Sequence, residues 1–304
     1  GLGLAGAQAP MSAVLPAVTC SAQATMLTGR SPSGHGAVGN GWFDRASGEV
    51  ALWRQSNALV DGEKLYERAR AIDPTFTCAK IFWWWNLGAR VDWSITPRPY
   101  YPADGRKIPA TYSWPLAYGA DLERALGPFP FFDFWGPKSG LASSRWLADA
   151  AIRTLAAHAP TLTMVYLPHL DYDFQRFGPA DPRCARAVRD IDAIVGDLLQ
   201  AAERASAEVV VVSEYGITAV DRPVDVNRAL RRAGLLVARS GPAGETLDPF
   251  ASAAFAVADH QVAHVYTRSR EATARAAELL RALPGVERVL AGEFLAACNE
   301  RLQT

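Results

Sequence analysis

Two hydroxyl side chains stand near the start of the chain, where an apolar run changes into a helical pattern. In LPAVTCSAQATMLTG (15–29), Thr19 and Ser21 begin an alanine-rich stretch that ends on Thr-Gly. The N-terminus of a helix offers unpaired backbone N–H groups and a positive dipole end, which both suit a phosphoryl oxygen. A hydroxyl there either caps the helix or, when a metal or base lowers its pKa, acts as a nucleophile. The segment taken alone leaves both interpretations open.

Acidic and amide side chains follow two later apolar runs. HLDYDFQRFGP (169–179) comes after TLTMVYL, and its polar side chains include His169, Asp171, Asp173 and Gln175. SEYG (213–216) comes after AEVVVV and contains Glu214. Oxygen and nitrogen side chains of this kind bind divalent cations, although a polar loop or a solvated turn explains each cluster separately. Because functional groups of α/β sheets gather where strands end, the three clusters together favour one site.

Strand and helix patterns alternate through the second half of the chain. Helical spacing covers 144–159, 181–205, 224–236 and 270–283, and strand patterns cover 161–171, 207–216 and 255–267. This alternation predicts an α/β fold with a mostly parallel central sheet and helices on both faces. Residues 96–140 are rich in Pro, Gly and aromatic residues, which is typical of an irregular insertion or lid. We expect a single domain over 1–304 that carries this insertion.

Composition excludes several classes of partner. The 31 basic and 31 acidic residues give a formal net charge of zero, which disfavours nucleic-acid polymers and anionic membranes as partners. No apolar stretch reaches the length of a membrane span. The four cysteines are widely scattered, without the spacing of a zinc knot or a disulfide framework. We therefore expect a reducing, cytoplasmic location.

The segment LPAVTCSAQATMLTGRSPSGHGAVGN (15–40) resembles the nucleophile segment of the type I phosphodiesterase/nucleotide pyrophosphatase family, within the alkaline phosphatase superfamily. The resemblance implies an alkaline-phosphatase-like fold and a threonine nucleophile at Thr19. Downstream, His35, Gly36, Gly39 and Asn40 match the family's His-Gly-x-x-Gly-Asn pattern.

Two further segments resemble the family's metal-binding motifs. YLPHLDYDFQRFGP puts the first metal-binding Asp on Asp171, and VVVSEYGI puts the second on Glu214. Gln175 and Tyr215 stand where the family has histidine ligands, and are taken as weak ligands or as hydrogen-bond partners of the phosphoryl group. GEKLYERARAIDPTFTCAKIFWWWN (62–86) resembles the unit before the substrate pocket. We assign substrate contacts to Ser21, Gln23 and Asn86.

The departures from the family pattern bear on the metal. The family's phosphoryl-binding Asn and the His beside it are Ala22 and Gln23 here. Its first Asp and its last His have no counterpart, so we expect that the recorded chain lacks the first strand and the C-terminal motif. The family implies one or two zinc ions. Replacing two imidazoles by Gln175 and Tyr215 favours a harder cation such as Mg²⁺ or Mn²⁺, and a single metal or none stays an alternative.

Other residues invite a functional interpretation but have structural alternatives. His260 and His264 are four residues apart on a strand pattern, which fits structural histidines better than a metal site. His35 follows the His-Gly turn and is expected to be structural. The runs FWWW (82–85) and FFDFW (131–135) are typical of a core. Three consecutive Trp side chains cannot all face inward on one strand, so we expect one to line a pocket.

The resemblance predicts a metal-dependent hydrolase of phosphate esters, above all diesters, that acts on small molecules through a Thr19 nucleophile. Two alternatives stay open. One is a catalytically decayed member that binds a phosphorylated or aromatic small molecule, which the lost imidazoles favour. The other is an enzyme with the same fold that acts on phosphonates or sulfate esters, or transfers phosphoryl groups. The sequence does not indicate the oligomeric state.

Overall fold

The computed structural model describes residues 6–242 and 244–291, which fall into two compact units. The first unit draws on residues 1–26, 30–53 and 223–304, and the second on 27–29 and 54–222. Each unit has its own hydrophobic core. The single domain expected from the sequence stays a prediction.

Helices and strands alternate along the described residues. The helices are α1 (Thr19–Thr28), α2 (Pro32–His35), α3 (Leu65–Ile72), α4 (Leu116–Leu126), α5 (Phe131–Phe134), α6 (Leu141–His158), α7 (His169–Phe177), α8 (Pro182–Arg204), α9 (Val226–Arg232) and α10 (Arg270–Arg281). The strands are β1 (Gly41–Asp44), β2 (Glu49–Leu52), β3 (Cys78–Ile81), β4 (Trp93–Pro97), β5 (Thr111–Trp114), β6 (Leu162–Val165), β7 (Ala238–Gly241), β8 (Gly244–Leu247), β9 (Ala254–Asp259) and β10 (Val262–Thr267). A 3₁₀ turn covers Asn57–Leu59.

The second unit is built on a four-stranded sheet in the order β5-β4-β3-β6. β3 runs parallel to both β4 and β6, with Ile81 opposite Ile95 on one side and Val165 on the other. β5 runs antiparallel to β4. The expected α/β fold is confirmed, with a mixed central sheet. The carboxyl ends of β3 and β6 lie side by side, so the segments that follow them emerge at one sheet edge.

The core of the second unit forms between this sheet and α6. Ile81 and Ile95 pack with Leu147 and Ala150 of the helix, and all four are fully buried. The aromatic run of the insertion joins this core, because the Phe82 ring lies 4.5 Å from that of Phe129. α8 begins at a strong helix start, with Asp181 accepting from the N–H of Arg183 and Pro182 at the first position.

The first unit is built from antiparallel hairpins and short helices. β1 pairs with β2, β7 with β8, and β9 with β10. β9 is largely buried and packs with Leu230 and Leu235, while Phe43 of β1 meets the Phe255 ring edge-on at 5.0 Å. The strand pattern predicted over 255–267 is therefore a hairpin, which turns at His260 and Gln261.

Three sequence predictions about elements were wrong. AEVVVV (207–212) forms no strand, and Val210 and Val211 are exposed. Within the described part of the chain, Ala207 N–H bonds back to Ala202 O of α8 at 2.9 Å, and no strand pairs with the valines. The strand predicted over 161–171 covers only Leu162–Val165, and the polar residues at its end begin the helix α7. The insertion at 96–140 is only partly irregular, since it contains β5, α4 and α5.

Within the described residues, no helix is both long and apolar enough to cross a membrane.

Candidate functional site

Thr19 is the first residue of α1, as the nucleophile hypothesis requires. Intrahelical bonding begins where the N–H of Ala22 donates to Val18 O at 3.0 Å. The N–H groups of the first turn therefore have no intrahelical acceptor. The Thr19 residue is largely buried, with 4% of its surface exposed. The first unit thus places this hydroxyl residue at a helix N-terminus, the position suited to an anion.

Asn40 satisfies one of these first-turn donors. Its side-chain Oδ1 accepts a hydrogen bond from the N–H of Cys20 at 3.1 Å. Asp259, at the end of β9, accepts from the backbone N–H of Asn40 at 2.5 Å and from its Nδ2 at 3.3 Å. The carboxylate, the amide and the start of α1 form one buried chain of hydrogen bonds within the first unit.

The other predicted residues of this segment are enclosed. Ser21 is fully buried, and its hydroxyl lies 2.6 Å from Pro16 O and 3.1 Å from Val18 O, to which it donates. Gln23 is also fully buried. Substrate contact by either residue stays a prediction.

Three histidines of the first unit have positions that fit structural roles. His35 is fully buried, with Nε2 2.9 Å from the Thr25 hydroxyl and Nδ1 accepting from the N–H of Ala37. His264 Nε2 lies 2.7 Å from Val38 O. His260 is half-exposed, with Nε2 3.9 Å from an Asp259 oxygen.

The second unit brings three of the predicted metal-site residues together. Asp171 and Gln175 are four residues apart on α7 and therefore share a helix face. Gln175 Nε2 donates to Asp171 Oδ2 at 2.8 Å, and the Tyr215 hydroxyl donates to Asp171 Oδ1 at 3.2 Å. Glu214 is half-exposed in the irregular segment that replaces the expected strand. The two positions where the family has histidines thus both contact the predicted metal-binding carboxylate.

These side chains offer oxygen donors where the family has imidazole nitrogens. Asp171 forms no ion pair within the described residues, whereas Asp173 of the same helix pairs with Arg176 at 3.0 Å. A partly buried carboxylate with oxygen-bearing neighbours suits Mg²⁺ or Mn²⁺ better than zinc. The described residues contain no group of three or more His, Cys, Asp or Glu side chains that would hold a metal. They offer an oxygen-donor half-site, which falls short of a two-zinc centre.

Buried polar atoms without a hydrogen-bond partner mark the same sheet edge. After β3, these atoms are Trp83 Nε1 and Asn86 Oδ1, although Asn86 Nδ2 donates to Ile95 O. After β6, both ring nitrogens of His169 are without a partner among the described residues. Burial lowers the pKa of His169, which favours the neutral imidazole. Among the described residues, four of the six such atoms lie in these two segments, and the other two are Ser144 Oγ and Thr163 Oγ1. Because buried polar groups without a partner are rare in folded proteins, the four at this edge are consistent with a ligand site.

The strand β3 ends before the tryptophan run begins. β3 ends at Ile81, and Phe82 and Trp85 have φ angles of 58° and 59°. The chain therefore turns, and Trp84 and Trp85 are both buried while Trp83 is partly exposed. The three tryptophans therefore do not lie on one strand, and the expectation that one of them lines a pocket stays a prediction.

The Lys80 side chain stabilises this turn through two hydrogen bonds. The side chain is fully buried, and Nζ donates to Trp84 O at 3.1 Å and to Trp85 O at 3.0 Å. Burial lowers the pKa of Lys80 to about 7. Sequence reasoning missed this residue, because an isolated lysine on a strand gives no sign of its burial.

The second unit also has a cavity of about 570 Å³ that none of the predicted site residues lines. Its lining includes Asn57, Lys64, Glu67 and Arg90. We give it no role in the proposed chemistry, because its walls carry none of the unmet polar atoms described above.

Sequence reasoning also missed the roles of Asn40 and Asp259. Asn40 lies in the matched Gly-Asn motif, which provided a signal, but no role was drawn from it. Asp259 is 219 residues away from Asn40 along the chain, and its contact depends entirely on tertiary structure.

Comparison with known proteins agrees with the resemblance seen in the sequence. The family model described as type I phosphodiesterase/nucleotide pyrophosphatase matches residues 2–293. An uncharacterised pyrophosphatase/phosphodiesterase of Schizosaccharomyces pombe is 23% identical over 219 residues, which is 71% of this chain. The chain spans 38% of that protein's length.

Solved structures share the fold. Phosphonoacetate hydrolase of Sinorhizobium meliloti 1021, in complex with phosphonoacetate, aligns with a TM-score of 0.63 at 17% identity, over 95% of this chain and 68% of that one. Murine ectonucleotide pyrophosphatase/phosphodiesterase 5 aligns with a TM-score of 0.54 at 16% identity, over 90% of this chain and 61% of that one. At such identities the similarity establishes the fold alone.

Proposed function

Because the chain belongs to the type I phosphodiesterase/nucleotide pyrophosphatase family, we propose that it hydrolyses phosphate esters of small molecules, diesters above all, through a Thr19 nucleophile. The observation that carries the proposal is the position of Thr19 at the start of α1, in a segment that follows the family pattern without a gap over 15–40. The buried hydrogen bonds of Cys20, Asn40 and Asp259 support it, because they give the nucleophile segment a rigid base.

The reaction proceeds by two displacements. Thr19 Oγ1 loses its proton to solvent and attacks phosphorus, the P–O bond to the leaving alcohol breaks, the alcohol oxygen takes up a proton, and a phosphorylated threonine forms. Water then loses a proton and attacks the same phosphorus, the P–Oγ1 bond breaks, and Thr19 Oγ1 takes up a proton. First-turn N–H groups of α1 stabilise the negative charge that develops on the phosphoryl oxygens.

The family is generally metal-dependent, and we propose that this chain uses a divalent cation. Asp171 and Glu214 would hold it, with Gln175 and Tyr215 as weak ligands or as hydrogen-bond partners of the carboxylate or the phosphoryl group. A bound cation supplies a lowered pKa to a coordinated hydroxyl and neutralises phosphoryl oxygens. The oxygen donors of this half-site favour Mg²⁺ or Mn²⁺.

Hydrolysis of bis-p-nitrophenyl phosphate with a panel of Mg²⁺, Mn²⁺ and Zn²⁺ tests the proposal. We expect turnover with at least one metal, and a loss of kcat of roughly 10³-fold or more in Thr19→Ala. Thr28→Ala changes a threonine at the other end of the same helix and should leave kcat within about twofold. Mass spectrometry of the quenched reaction should find the phosphoryl adduct on Thr19.

Equal turnover by Thr19→Ala and the parent would refute the nucleophile role.

The second candidate is a non-catalytic binding protein, favoured by Gln175 and Tyr215 at the histidine positions. It predicts no turnover with any metal and unchanged ligand binding by Thr19→Ala.

The third candidate keeps the fold but changes the bond that is broken. Rates on a phosphate monoester, a phosphate diester, a sulfate ester and phosphonoacetate, measured side by side, separate it from the diesterase.

A further inference from the structure

The hairpin β9–β10 forms hydrogen bonds with residues 38–43, the segment whose Asn40 contacts the start of α1. Three contacts join the hairpin to residues 38–43. His264 Nε2 lies 2.7 Å from Val38 O, Asp259 accepts from the N–H of Asn40, and the Tyr266 hydroxyl accepts from the N–H of Phe43 at 3.1 Å. Backbone polar groups of this segment are therefore held by side chains from a distant part of the sequence.

Of these three contacts, the one made by Asp259 extends through Asn40 to helix α1. Its two carboxylate oxygens take the two donors of one residue, the backbone N–H and the Nδ2 of Asn40. With Nδ2 committed to the carboxylate, the amide must present Oδ1 in the other direction. That oxygen accepts from the N–H of Cys20, which follows Thr19 directly. An amide turned the other way would put its NH₂ against an N–H donor, so Asp259 fixes the orientation of Asn40.

Both residues are buried, which makes the arrangement specific. Asn40 is 5% exposed and Asp259 7%. A buried carboxylate is tolerated only when hydrogen bonds satisfy it, and losing one partner of such a network leaves an unmet donor. The local backbone is adapted to this contact, because a Cβ on Gly39 would lie 2.8 Å from Asp259 Oδ2.

We propose that Asp259 is a positioning residue for the proposed reaction: through the Asn40 amide it fixes the first turn of α1 and thereby the attack geometry of Thr19. This inference rests on the proposed function. Asp259 touches no reacting atom. Its effect is transmitted through two hydrogen bonds within one compact unit.

Selective labelling gives a readout that does not depend on activity. The chain has four cysteines, so [¹⁵N]cysteine labelling yields four amide signals, and Cys20→Ser assigns the one of interest. In Asp259→Asn we expect the Cys20 amide to exchange with solvent about tenfold faster or more, since its acceptor is no longer held. The Cys78 and Cys184 amides bond to Asp92 and Asp181, and their exchange should not change.

Asp248→Asn is the matched control. Asp248 is a buried carboxylate of the same unit that accepts from the N–H groups of Phe250 and Ala251, without contact to Asn40. It should lower the melting temperature without changing Cys20 exchange. Gly39→Ala is the second variant, because the added methyl group pushes the Asp259 carboxylate away from Asn40. It should reproduce the exchange effect even if Asp259→Asn fails to fold.

Activity provides the second readout. With an active parent, Asp259→Asn and Gly39→Ala should lower kcat about tenfold or more with KM within about twofold, because attack geometry is lost while substrate binding is kept. Asp248→Asn should keep the parent kcat.

Unchanged Cys20 exchange in both test variants, or equal acceleration in Asp248→Asn, overturns the positioning role. Faster exchange with unchanged kcat in an active enzyme also overturns it. A parent that is inactive with every metal refutes the proposed function instead, and Cys20 exchange then shows separately whether Asp259 orders the helix start.

Discussion

At the level of single residues, the predicted site residues of each unit have hydrogen-bond partners that fit the roles proposed for them. Thr19 occupies a helix start whose neighbouring N–H is held by Asn40. Asp171 receives hydrogen bonds from Tyr215 and Gln175, the two residues at the positions where the family has histidines. These hydrogen bonds orient the Asp171 carboxylate, as outer-shell contacts orient a metal ligand.

Asp171 is expected to be the main anionic ligand of the cation. Asp171→Asn should weaken Mn²⁺ binding about 100-fold or more, because it removes the charge that attracts the ion. Titration calorimetry of the folded protein measures this directly. Asp173→Asn, two residues along the same helix, removes a carboxylate that pairs with Arg176 and should leave Mn²⁺ affinity within about threefold. Equal losses in the two variants would contradict the assignment.

At the level of elements, the loop after β3 depends on Lys80 as much as on its own aromatic residues. The lysine reaches two carbonyl groups of the Trp84–Trp85 turn, where Trp85 has a positive φ. A neutral amine has two N–H groups, which matches the two acceptors. Burial lowers the pKa of this group to about 7, so the neutral form is the main one in the folded protein above that pH.

This lowered pKa makes stability depend on pH in a predictable direction. Between pH 7 and about 10.4 the unfolded chain holds a proton on Lys80 that the folded protein does not, so the free energy of unfolding rises with pH. Below pH 7 both states are protonated and this dependence ends. The free energy of unfolding of the parent minus that of Lys80→Met should therefore rise from pH 7 to 9, by up to about 1.4 kcal/mol per pH unit.

Denaturant unfolding at a series of pH values measures the difference. Lys64→Met is the matched control, because Lys64 is also buried and donates to a backbone carbonyl, Val60 O at 2.7 Å. That variant should keep most of the pH dependence due to Lys80, because burial lowers the Lys80 pKa more than the Lys64 charge does. A Lys80→Met variant with the same pH dependence as the parent would show that Lys80 is charged throughout the range.

At the level of the whole molecule, the balance of charge determines how strongly long-range electrostatics attract a charged substrate. Equal numbers of acidic and basic side chains give a formal net charge of zero. A protein without net charge has no long-range field to concentrate an anionic substrate.

We therefore expect kcat/KM for an anionic diester to change less than about twofold between roughly 0.05 and 0.3 M salt, over which the Debye length falls from above to below ~10 Å. Steady-state rates at constant pH and metal concentration measure this. A parallel series in which sucrose replaces the added salt at matched viscosity controls for slower diffusion of the substrate. A fall of tenfold would reveal a strong local basic field instead.

The family and several helices were readable from the sequence because they depend on local order. The resemblance of residues 15–40 pointed to the family that the family model confirms, and helical periodicity located α6, α8 and α10. The i, i+4 spacing of Asp171 and Gln175 likewise places both on one face once the segment is a helix.

What the sequence could not decide were the contacts that depend on partners far along the chain. The valines at 209–212 have the composition of a strand, yet a strand exists only when another strand pairs with it, and the described residues supply none. Asp259 and Asn40 are 219 residues apart, and no local pattern records that one orients the other. Lys80 looks like any strand lysine until burial strips its water and lowers its pKa. Local spacing thus determined which groups were available, while tertiary packing decided which were held, desolvated and oriented for use.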